Sequence, residues 1–254
     1  MSGVEDFVLD FIVEFVSEYM RRKDIHTEWR KPLVAFANAK DSMFLDLKRI
    51  IGSSHALPTD FLEDAKTVIC YFLPFKEWIV KSNIGGEYAS KEWALAYVET
   101  NRLIIEINEA LARELERMGF KSAVLPPTHN FDEEKLISDW SHRHVAYIAG
   151  LGTFGLNRMI ITESGCCGRI GSLVTNAEIK PTEKPETEYC LYKRDGSCVK
   201  CVEKCTFNAL KLDSFDRHKC YNVCLKNAEK YEDLGLADVC GKCLCGIPCS
   251  LKIP

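Results

Sequence analysis

Ten of the thirteen cysteines lie between Cys190 and Cys249, at spacings that could bind metal or carry out redox chemistry. The first group contains Cys198-x2-Cys201-x3-Cys205, and the second contains Cys240-x2-Cys243. The N-terminus has no basic stretch followed by an apolar run, so we expect no secretory signal, and thiols that stay reduced in the cytosol. The odd number of cysteines also argues against a simple set of disulfides.

Two cubane iron–sulfur clusters account for most of these cysteines. A bacterial ferredoxin run has the pattern C-x2-C-x2-C-x3-C-P, and its fourth cysteine binds the other cluster. The chain matches the last three positions, but Asp195 occupies the first, so Cys190 is expected to replace it. The crossed scheme assigns four ligands to each 4Fe-4S cluster: Cys190, Cys198, Cys201 and Cys249 to the first, and Cys205, Cys220, Cys240 and Cys243 to the second.

Structural zinc is the main alternative, because zinc also accepts four thiolates. Zinc sites usually pair two C-x2-C knuckles, whereas C-x2-C-x3-C places three thiols close together, which favours a cubane. Cys224 and Cys245 could each replace an assigned ligand, or be nearby thiols without a ligand role. Cys70 lies in an apolar run and is expected in the core. Cys166 and Cys167 are left unassigned.

Charge divides the chain at the same place as the cysteines. Residues 1–189 carry 22 Lys and Arg against 29 Asp and Glu, and residues 190–254 carry 11 against 8. A basic shell suits an anionic cluster, and a solvated basic face explains it equally well. This charge is too weak to indicate nucleic acid binding, and no apolar run approaches the roughly 18 residues of a membrane span.

Apolar periodicity predicts the elements that must position these thiols. We expect helices over 4–21, 42–51, 91–118 (one or two helices) and 132–148, and strands over 33–36, 68–73 and 123–125. Two extended segments are expected around a turn at 165–168: 158–162 and 169–175. The polar, proline-broken stretch 180–189 is expected to be a linker. These elements indicate an α/β or α+β layered domain over 1–179 and a cluster domain over 190–254.

Three glycines just past the middle of the chain match the G-x-G-x-x-G pattern of dinucleotide-binding folds: Gly150, Gly152 and Gly155. Their surroundings do not fit such a fold, because a helix is expected before the pattern and an extended run after it, and Asn176 stands where the acidic residue would. Either the glycines let the backbone approach a flat or bulky ligand, or they form a tight turn from helix to strand.

The stretch 149–157 (AGLGTFGLN), with Gly165, the segment 169–175 (RIGSLVT) and the double-cluster cysteines, resembles the epoxyqueuosine reductases and, more distantly, the corrinoid-dependent reductive dehalogenases. The resemblance implies a nitroreductase-like α/β domain that holds cobalamin, and a ferredoxin-like domain whose two 4Fe-4S clusters supply electrons to it. It also implies cofactor-binding residues in these stretches: Gly150, Leu151, Gly152, Gly155, Asn157, Arg169 and Gly171.

The chain departs from the reductases at several points. Leu156 stands where they have lysine, Thr206 stands where proline usually follows the cysteine run, and the stretch that carries their acidic proton donor is absent. No helical-repeat extension follows Cys249, so the specific tRNA reaction is not expected. The candidate proton donors are polar side chains of the helix expected before the glycines: Asp139, His142, His144 and Tyr147.

These features together predict a cytosolic iron–sulfur redox protein, a cobalamin-dependent reductase in which two 4Fe-4S clusters deliver electrons to a corrinoid. The expected partners are a low-potential donor such as ferredoxin or flavodoxin, and a small-molecule or modified-nucleoside substrate. The alternative is a ferredoxin-like carrier, or an activator that reduces a partner's corrinoid and has no substrate of its own. A structural zinc module is the third possibility.

Overall fold

A computed structural model describes residues 3–254, in which helices and strands are mixed along the chain. None of the helices in this range is long and apolar enough to cross a membrane. The elements follow one another in this order: α1 (Val4–Tyr19), β1 (Leu33–Asn38), α2 (Met43–Ile50), α3 (Pro58–Phe61), β2 (Thr67–Pro74), α4 (Glu77–Ser82), α5 (Lys91–Arg117), β3 (Ser122–Val124), β4 (Phe131–Asp132), β5 (Ile137–Ser138), α6 (His142–Ile148), β6 (Thr153–Phe154), β7 (Ile160–Ile161), β8 (Gly168–Thr175), α7 (Leu191–Asp195), α8 (Lys200–Glu203), α9 (Arg217–Lys230) and a 3-10 turn (Glu232–Leu234).

The apolar run at 68–73 forms a central strand of the main sheet, as predicted. This sheet has the order β1-β2-β8-β3, and every neighbouring pair is antiparallel. Side chains alternate between the two faces of a strand. Ile69 and Tyr71 therefore enter one core, and Val68 and Cys70 enter the other. Burial of both faces explains why β2 is apolar at nearly every position.

Helices cover both faces of the sheet. The long helix α5 packs on one face together with α1, and α2 and α6 pack on the other. Asn108 fixes α5 to the sheet, because its Nδ2 donates to Ser172 O (3.0 Å) and its Oδ1 accepts from Tyr71 OH (2.9 Å). The run 91–118 is thus one helix, and the mixed α/β class expected from the sequence is confirmed.

The prediction of one helix over 132–148 is wrong. Only α6 is helical there, and β4 and β5 form a hairpin before it. Asp132 Oδ1 accepts hydrogen bonds from Glu134 N (3.0 Å) and Lys135 N (2.9 Å), so its side chain closes a turn instead of starting a helix. Leu136 then adopts a φ of 52°, which a right-handed helix excludes. Asp139 consequently lies in the loop between hairpin and helix.

The two extended segments after the glycines do not pair with each other. Strand β7 pairs with β6, whereas β8 pairs with β2 and β3. The turn between them is centred earlier than predicted, since Thr162 and Gly165 exchange two backbone hydrogen bonds (3.0 and 2.9 Å). Cys166 and Cys167 lie beyond this turn, and their N–H groups donate to Cys249 O (2.9 Å) and Ser250 O (3.1 Å). The adjacent cysteines therefore pair with the C-terminal segment.

The stretch 180–189 lies against the α/β layers. Thr182 N donates to Phe36 O (2.9 Å), and Tyr189 N donates to Thr153 Oγ1 (2.9 Å). The cysteine-rich part after it packs on α5, where Tyr97 OH donates to Asp238 Oδ1 (2.7 Å). Apolar residues from both sides of this stretch share one core. The division into domains 1–179 and 190–254 stays a prediction.

Replacing Ile104 with Ala should lower the free energy of unfolding by about 2–5 kcal/mol, because the change leaves a cavity between α5 and the sheet. Ile104 is fully buried, whereas its neighbour Ile105 is 40% exposed. Ile105→Ala is the matched control and should change stability by less than about 1 kcal/mol. Urea unfolding measures both free energies, and equal losses would contradict the packing of α5.

Candidate functional site

Four cysteines from separate segments line one small cavity: Cys190, Cys198, Cys201 and Cys249, which we call group one. Helix α7 starts after Cys190 and ends at Asp195. The next residue, Gly196, has a φ of 77°, which reverses the chain towards Cys198. Leu156 N donates to Cys190 Sγ at 3.4 Å, so the loop after the three glycines contacts this group. Burial and the nearby Cys190 raise the pKa of Cys201 to about 11.

A second group of cysteines lies around α8 and α9: Cys205, Cys220, Cys240 and Cys243, which we call group two. Their thiols are close enough to affect one another. Burial, followed by Cys220 and Cys205, raises the pKa of Cys240 to about 11, and burial with Cys240 raises that of Cys243. Leu210 N donates to Cys205 Sγ at 3.3 Å.

Cys224 is a close neighbour of group two. It follows Cys220 by one turn of α9, and a hydrogen bond between the two thiols lowers the pKa of Cys220 to about 7. The same hydrogen bond raises the pKa of Cys224. The structure therefore keeps open whether Cys220 or Cys224 is the better ligand in this part of the helix.

Each group supplies four thiols, the donor set of a 4Fe-4S cluster. Within residues 3–254, no three His, Cys, Asp or Glu side chains converge closely enough to hold a single metal ion. A cubane binds each thiolate through a different iron atom, so its ligands stand further apart than those of one ion. The donor chemistry and the grouping fit two clusters.

Three more cysteines are fully buried between the two groups: Cys166, Cys167 and Cys245. Hydrogen bonds from Cys167 and from Cys249 of group one lower the pKa of Cys166. Burial raises the pKa of Cys167, whose Sγ donates to Leu244 O at 3.2 Å. Asn83 Nδ2 lies 3.6 Å from Cys245 Sγ. Neighbouring thiols thus run from Cys249 of group one through Cys166 and Cys167 to Cys245.

A cavity of about 1030 Å³ lies beside both groups and is called the central cavity. Cys220 and Cys224 line it directly, and Gly155 and Leu156 line both it and the small cavity of group one. Its volume is at the upper end of the range for ligand pockets, which is about 300–1,000 Å³. Several aromatic side chains form its walls: Phe131, Trp140, Phe154, Tyr192, Phe215 and Tyr221.

The candidate proton donors occupy different places. His144 lines the central cavity, and its Nδ1 is 2.7 Å from Ser141 Oγ. Burial and the nearby Arg143 lower the pKa of His144 to about 4. Asp139 is not among the described residues that line the cavity; its Oδ1 is 2.5 Å from His129 Nδ1. Tyr147 packs on Phe154 and is likewise outside the described lining.

His142 also lines the central cavity, but both of its ring nitrogens are engaged by protein groups. Its Nδ1 is 2.9 Å from Ser172 Oγ, and its Nε2 is 2.9 Å from Pro126 O. Trp140 Nε1 donates to the same Ser172 hydroxyl (3.0 Å). The Ser172 hydroxyl uses its own hydrogen to donate to His142 Nδ1, and His142 Nε2 donates its hydrogen to Pro126 O. Burial lowers the pKa of His142 to about 4, which keeps this network neutral.

The glycine loop serves mainly as a turn. A Cβ at Gly152 would stand 1.9 Å from Ile161 O, and one at Gly150, where φ is 84°, would stand 2.8 Å from Glu183 O. Both glycines therefore allow the chain to approach itself. Leu151 is buried in the core, and Gly171 is packed against the Tyr71 ring.

Three of the expected cofactor-binding residues adjoin cavities. Gly155 lines both cavities, Arg169 lines the central one, and Asn157 lines the small one. Asn157 Nδ2 also lies 3.7 Å from Cys166 Sγ.

Sequence reasoning missed two cavity residues, Arg143 and Arg217. Arg143 extends from α6 and Arg217 is the first residue of α9. No spacing connects them, because tertiary packing alone brings these helices together. The triplet His142-Arg143-His144 was the one available signal, and it indicates a polar helix face without showing what the face meets.

Comparisons with known proteins show the fold. No family model and no curated protein matches the chain. An epoxyqueuosine reductase structure from Streptococcus thermophilus is 19% identical with a TM-score of 0.57, and the match covers 96% of this chain and 66% of that one. The enzyme from Bacillus subtilis is 18% identical with a TM-score of 0.56, again over 96% and 66%. A catabolic reductive dehalogenase is 16% identical with a TM-score of 0.50, over 83% and 28%.

These similarities confirm, at the level of the fold, the resemblance predicted from the sequence. The chain spans 66% of the length of the two reductases. Identities below 20% show a shared backbone arrangement, and function has to be argued from the site itself.

The buried His142 predicts a loss of stability in acid. Its pKa is about 4 in the folded protein and 6.5 ordinarily, so the unfolded chain takes up the proton first as the pH falls. Above pH 6.5 the neutral His142 contributes its full share of stability. As the pH falls from 6.5 to about 4, this group should lower the free energy of unfolding by about 3 kcal/mol.

The His142→Gln variant tests this assignment, because glutamine does not titrate. The difference in unfolding free energy between wild type and variant should shrink as the pH falls through this window, measured by urea unfolding at each pH. A difference that is constant from pH 7 to 4 would contradict a neutral buried His142.

Proposed function

We propose that this protein is an iron–sulfur reductase in which two 4Fe-4S clusters deliver electrons to a corrinoid in the central cavity. One observation carries the proposal: two groups of four thiols adjoin the same cavity of about 1030 Å³. Group two reaches it through Cys220, and group one reaches it through the Gly155–Leu156 wall. Cavities of this size are typical of small-molecule and cofactor sites, which favours an enzyme over an electron carrier.

The cluster ligands are proposed as the eight cysteines of groups one and two. The N–H groups of Leu156 and Leu210 donate to the Sγ atoms of Cys190 and Cys205, and hydrogen bonds of this kind tune a cluster's potential. The net positive charge of residues 190–254 offsets the negative charge of thiolate-bound clusters. When bound, the clusters would supply single electrons, and the corrinoid would supply the low-potential centre that reduces the substrate.

The central cavity fits a large, flat cofactor. Phe154, Trp140 and Tyr192 provide apolar surface, and the volume is large for a single small ligand. Arg169 Nε is buried and has no hydrogen-bond partner within residues 3–254. An unsatisfied buried donor costs about 1–3 kcal/mol, so it indicates that a bound ligand, either the cofactor or the substrate, accepts from it. Gly155 lets the backbone approach the cofactor from one side.

Among the candidate proton donors, we place His144 next to the substrate because it lines the central cavity. Its pKa of about 4 makes the ring neutral near pH 7, so we propose that it hydrogen-bonds with the substrate and accepts a proton rather than supplying one. His144 Nδ1 and Ser141 Oγ are within hydrogen-bond distance (2.7 Å), so the Nδ1 side of the ring is engaged by the protein. No described residue hydrogen-bonds with Nε2, which is therefore available to a substrate in the cavity. Asp139 is engaged by His129 and by Asn130 Nδ2 (2.8 Å), which favours a structural role for it.

The proposal extends to architecture and partners. The α/β layers over 1–179 correspond to a nitroreductase-like domain, 180–189 to the connection, and 190–254 to a ferredoxin-like cluster domain. A reduced donor such as ferredoxin or flavodoxin would dock near group one, in the cytosol, where thiols stay reduced. The substrate is a small molecule or a modified nucleoside; one of the similar reductases has been seen with an epoxyqueuosine-modified tRNA stem loop.

Replacing Cys198 with Ala should remove about one cluster, and so about four of the roughly eight irons per chain, because group one loses a ligand. Cys70→Ala is the control, since Cys70 is buried in β2 away from both groups. Iron analysis of anaerobically purified protein measures both. Unchanged iron in Cys198→Ala would contradict the ligand assignment, and zinc in place of iron would show a structural module.

Cobalamin should bind the anaerobically purified protein in the central cavity. Ser214 is exposed at the wall of this cavity, so Ser214→Trp should weaken binding about tenfold or more by filling the space. Leu236→Trp is the control, because Leu236 is 71% exposed and not part of the described lining. Equilibrium dialysis measures the affinity. Absence of binding to wild-type protein would favour the electron-carrier alternative.

A further inference from the structure

Five basic side chains line the central cavity: Arg143, Arg158, Arg169, Lys193 and Arg217. Three of them, Arg143, Arg169 and Arg217, form what we call the arginine cluster. None of the five makes an ion pair with a described carboxylate; all the ion pairs found in residues 3–254 lie elsewhere. Asp213 is the one acidic residue of the described lining, and its Oδ1 accepts from Ser214 Oγ (3.2 Å).

The three side chains of the arginine cluster line the same cavity, and Arg143 and Arg217 are exposed to solvent there. Desolvation by the surrounding protein, followed by the charge of Arg217, lowers the pKa of Arg143. Its Nη1 donates to Arg158 O (3.0 Å), which orders the side chain without neutralising it. Arg169 stacks on Tyr97 with its Cζ 4.1 Å from the ring centroid, and its buried Nε lacks a partner. Such an arrangement is stable when an anion accepts the free donors.

A cluster bound by group two explains only part of this charge. A 4Fe-4S cluster with four thiolates carries about −2, and Cys220 is near Arg143. Five basic side chains exceed that charge. His142 and His144, with pKa values of about 4, add none near neutral pH.

We propose that the arginine cluster binds an anionic group, a carboxylate or a phosphate, of the small molecule that this enzyme reduces; the inference rests on the proposed function. Guanidinium groups bind both anions through paired, charge-assisted hydrogen bonds. Binding there places the remainder of the substrate among the aromatic walls and beside His144. The anion thus determines which end of the substrate faces the reducing centre.

The location of the charge favours a small molecule over RNA. The basic side chains surround a cavity, whereas the whole chain has a net charge of −4 and a pI of about 5.9. RNA-binding proteins present basic residues along a surface that follows the phosphate backbone. A positive cavity in an otherwise acidic protein concentrates small anions instead.

Calorimetric titration of the anaerobically purified protein with inorganic phosphate and with benzoate tests this inference. Wild type should bind at least one of the two anions. Arg143→Gln and Arg217→Gln should each raise its Kd about tenfold or more, since each loses a charge-assisted hydrogen bond. Arg113→Gln is the control, because it removes the same charge from an exposed position on α5 outside the described lining. The Kd of this variant should equal that of wild type.

Arg143 and Arg217 are both exposed, so both variants are expected to fold, and each tests the inference independently. Failure of wild type to bind either anion, or equal Kd values in all variants, would overturn the inference. Titrations in the presence of cobalamin and of cobinamide, which lacks the nucleotide phosphate, separate the possible sources of the anion. If cobalamin displaces the bound anion and cobinamide does not, the arginine cluster binds the cofactor's phosphate. If an RNA stem loop displaces the anion, the cluster binds RNA. Either result would overturn the substrate assignment.

The two proposals fail in different ways. Anion binding without any corrinoid binding would contradict the proposed function and leave the arginine cluster as an anion site. Corrinoid binding without anion binding would overturn the present inference alone.

Discussion

The pairing of the C-terminal segment with the start of β8 is the contact on which the thiol groups and the cavity depend. Cys166 N and Cys167 N donate to the carbonyl oxygens of Cys249 and Ser250, and Arg30 Nη1 donates to Leu251 O (2.9 Å). Gly165 makes the approach possible, since a Cβ there would stand 2.5 Å from the backbone of this segment. This contact fixes Cys249 in group one and seats the cysteine-rich part on the α/β layers.

The same docking brings the thiol groups next to the central cavity. With the tail in this position, α9 brings Cys220 to the cavity wall, and α7 brings Tyr192 and Lys193 to another part of it. The buried Cys166 and Cys167 fill the space between the thiol groups. The central cavity is therefore built by both halves of the chain, and neither half forms it alone.

Patterns with a single physical cause were predictable from the sequence. The run at 68–73 had to be a strand because only burial on both faces explains it. The cysteine spacings predict two groups of four ligands, and that assignment stays a prediction. The region 131–141 was not predictable, because its Glu and Lys residues favour helix locally while the Asp132 turn and the left-handed Leu136 impose a hairpin. The arginine cluster was not predictable either, since α6 and α9 meet only through tertiary packing.

The glycine loop shows how one pattern can have several causes. The sequence left open a ligand contact or a tight turn, and the structure gives the turn to Gly150 and Gly152 and the cavity contact to Gly155. Leu156 links the two sites, because its backbone N–H contacts Cys190 while the residue also borders the central cavity.

The central claim is that electrons pass from the clusters to a corrinoid within one chain, and a direct measurement is available. Anaerobic protein is reduced with stoichiometric dithionite, freed of excess reductant and mixed with cobalamin, while visible spectra record both cofactors. The account predicts that cluster absorbance recovers as the corrinoid is reduced, at a rate independent of protein concentration once cobalamin is bound. Clusters that stay reduced beside bound, oxidised cobalamin would contradict it.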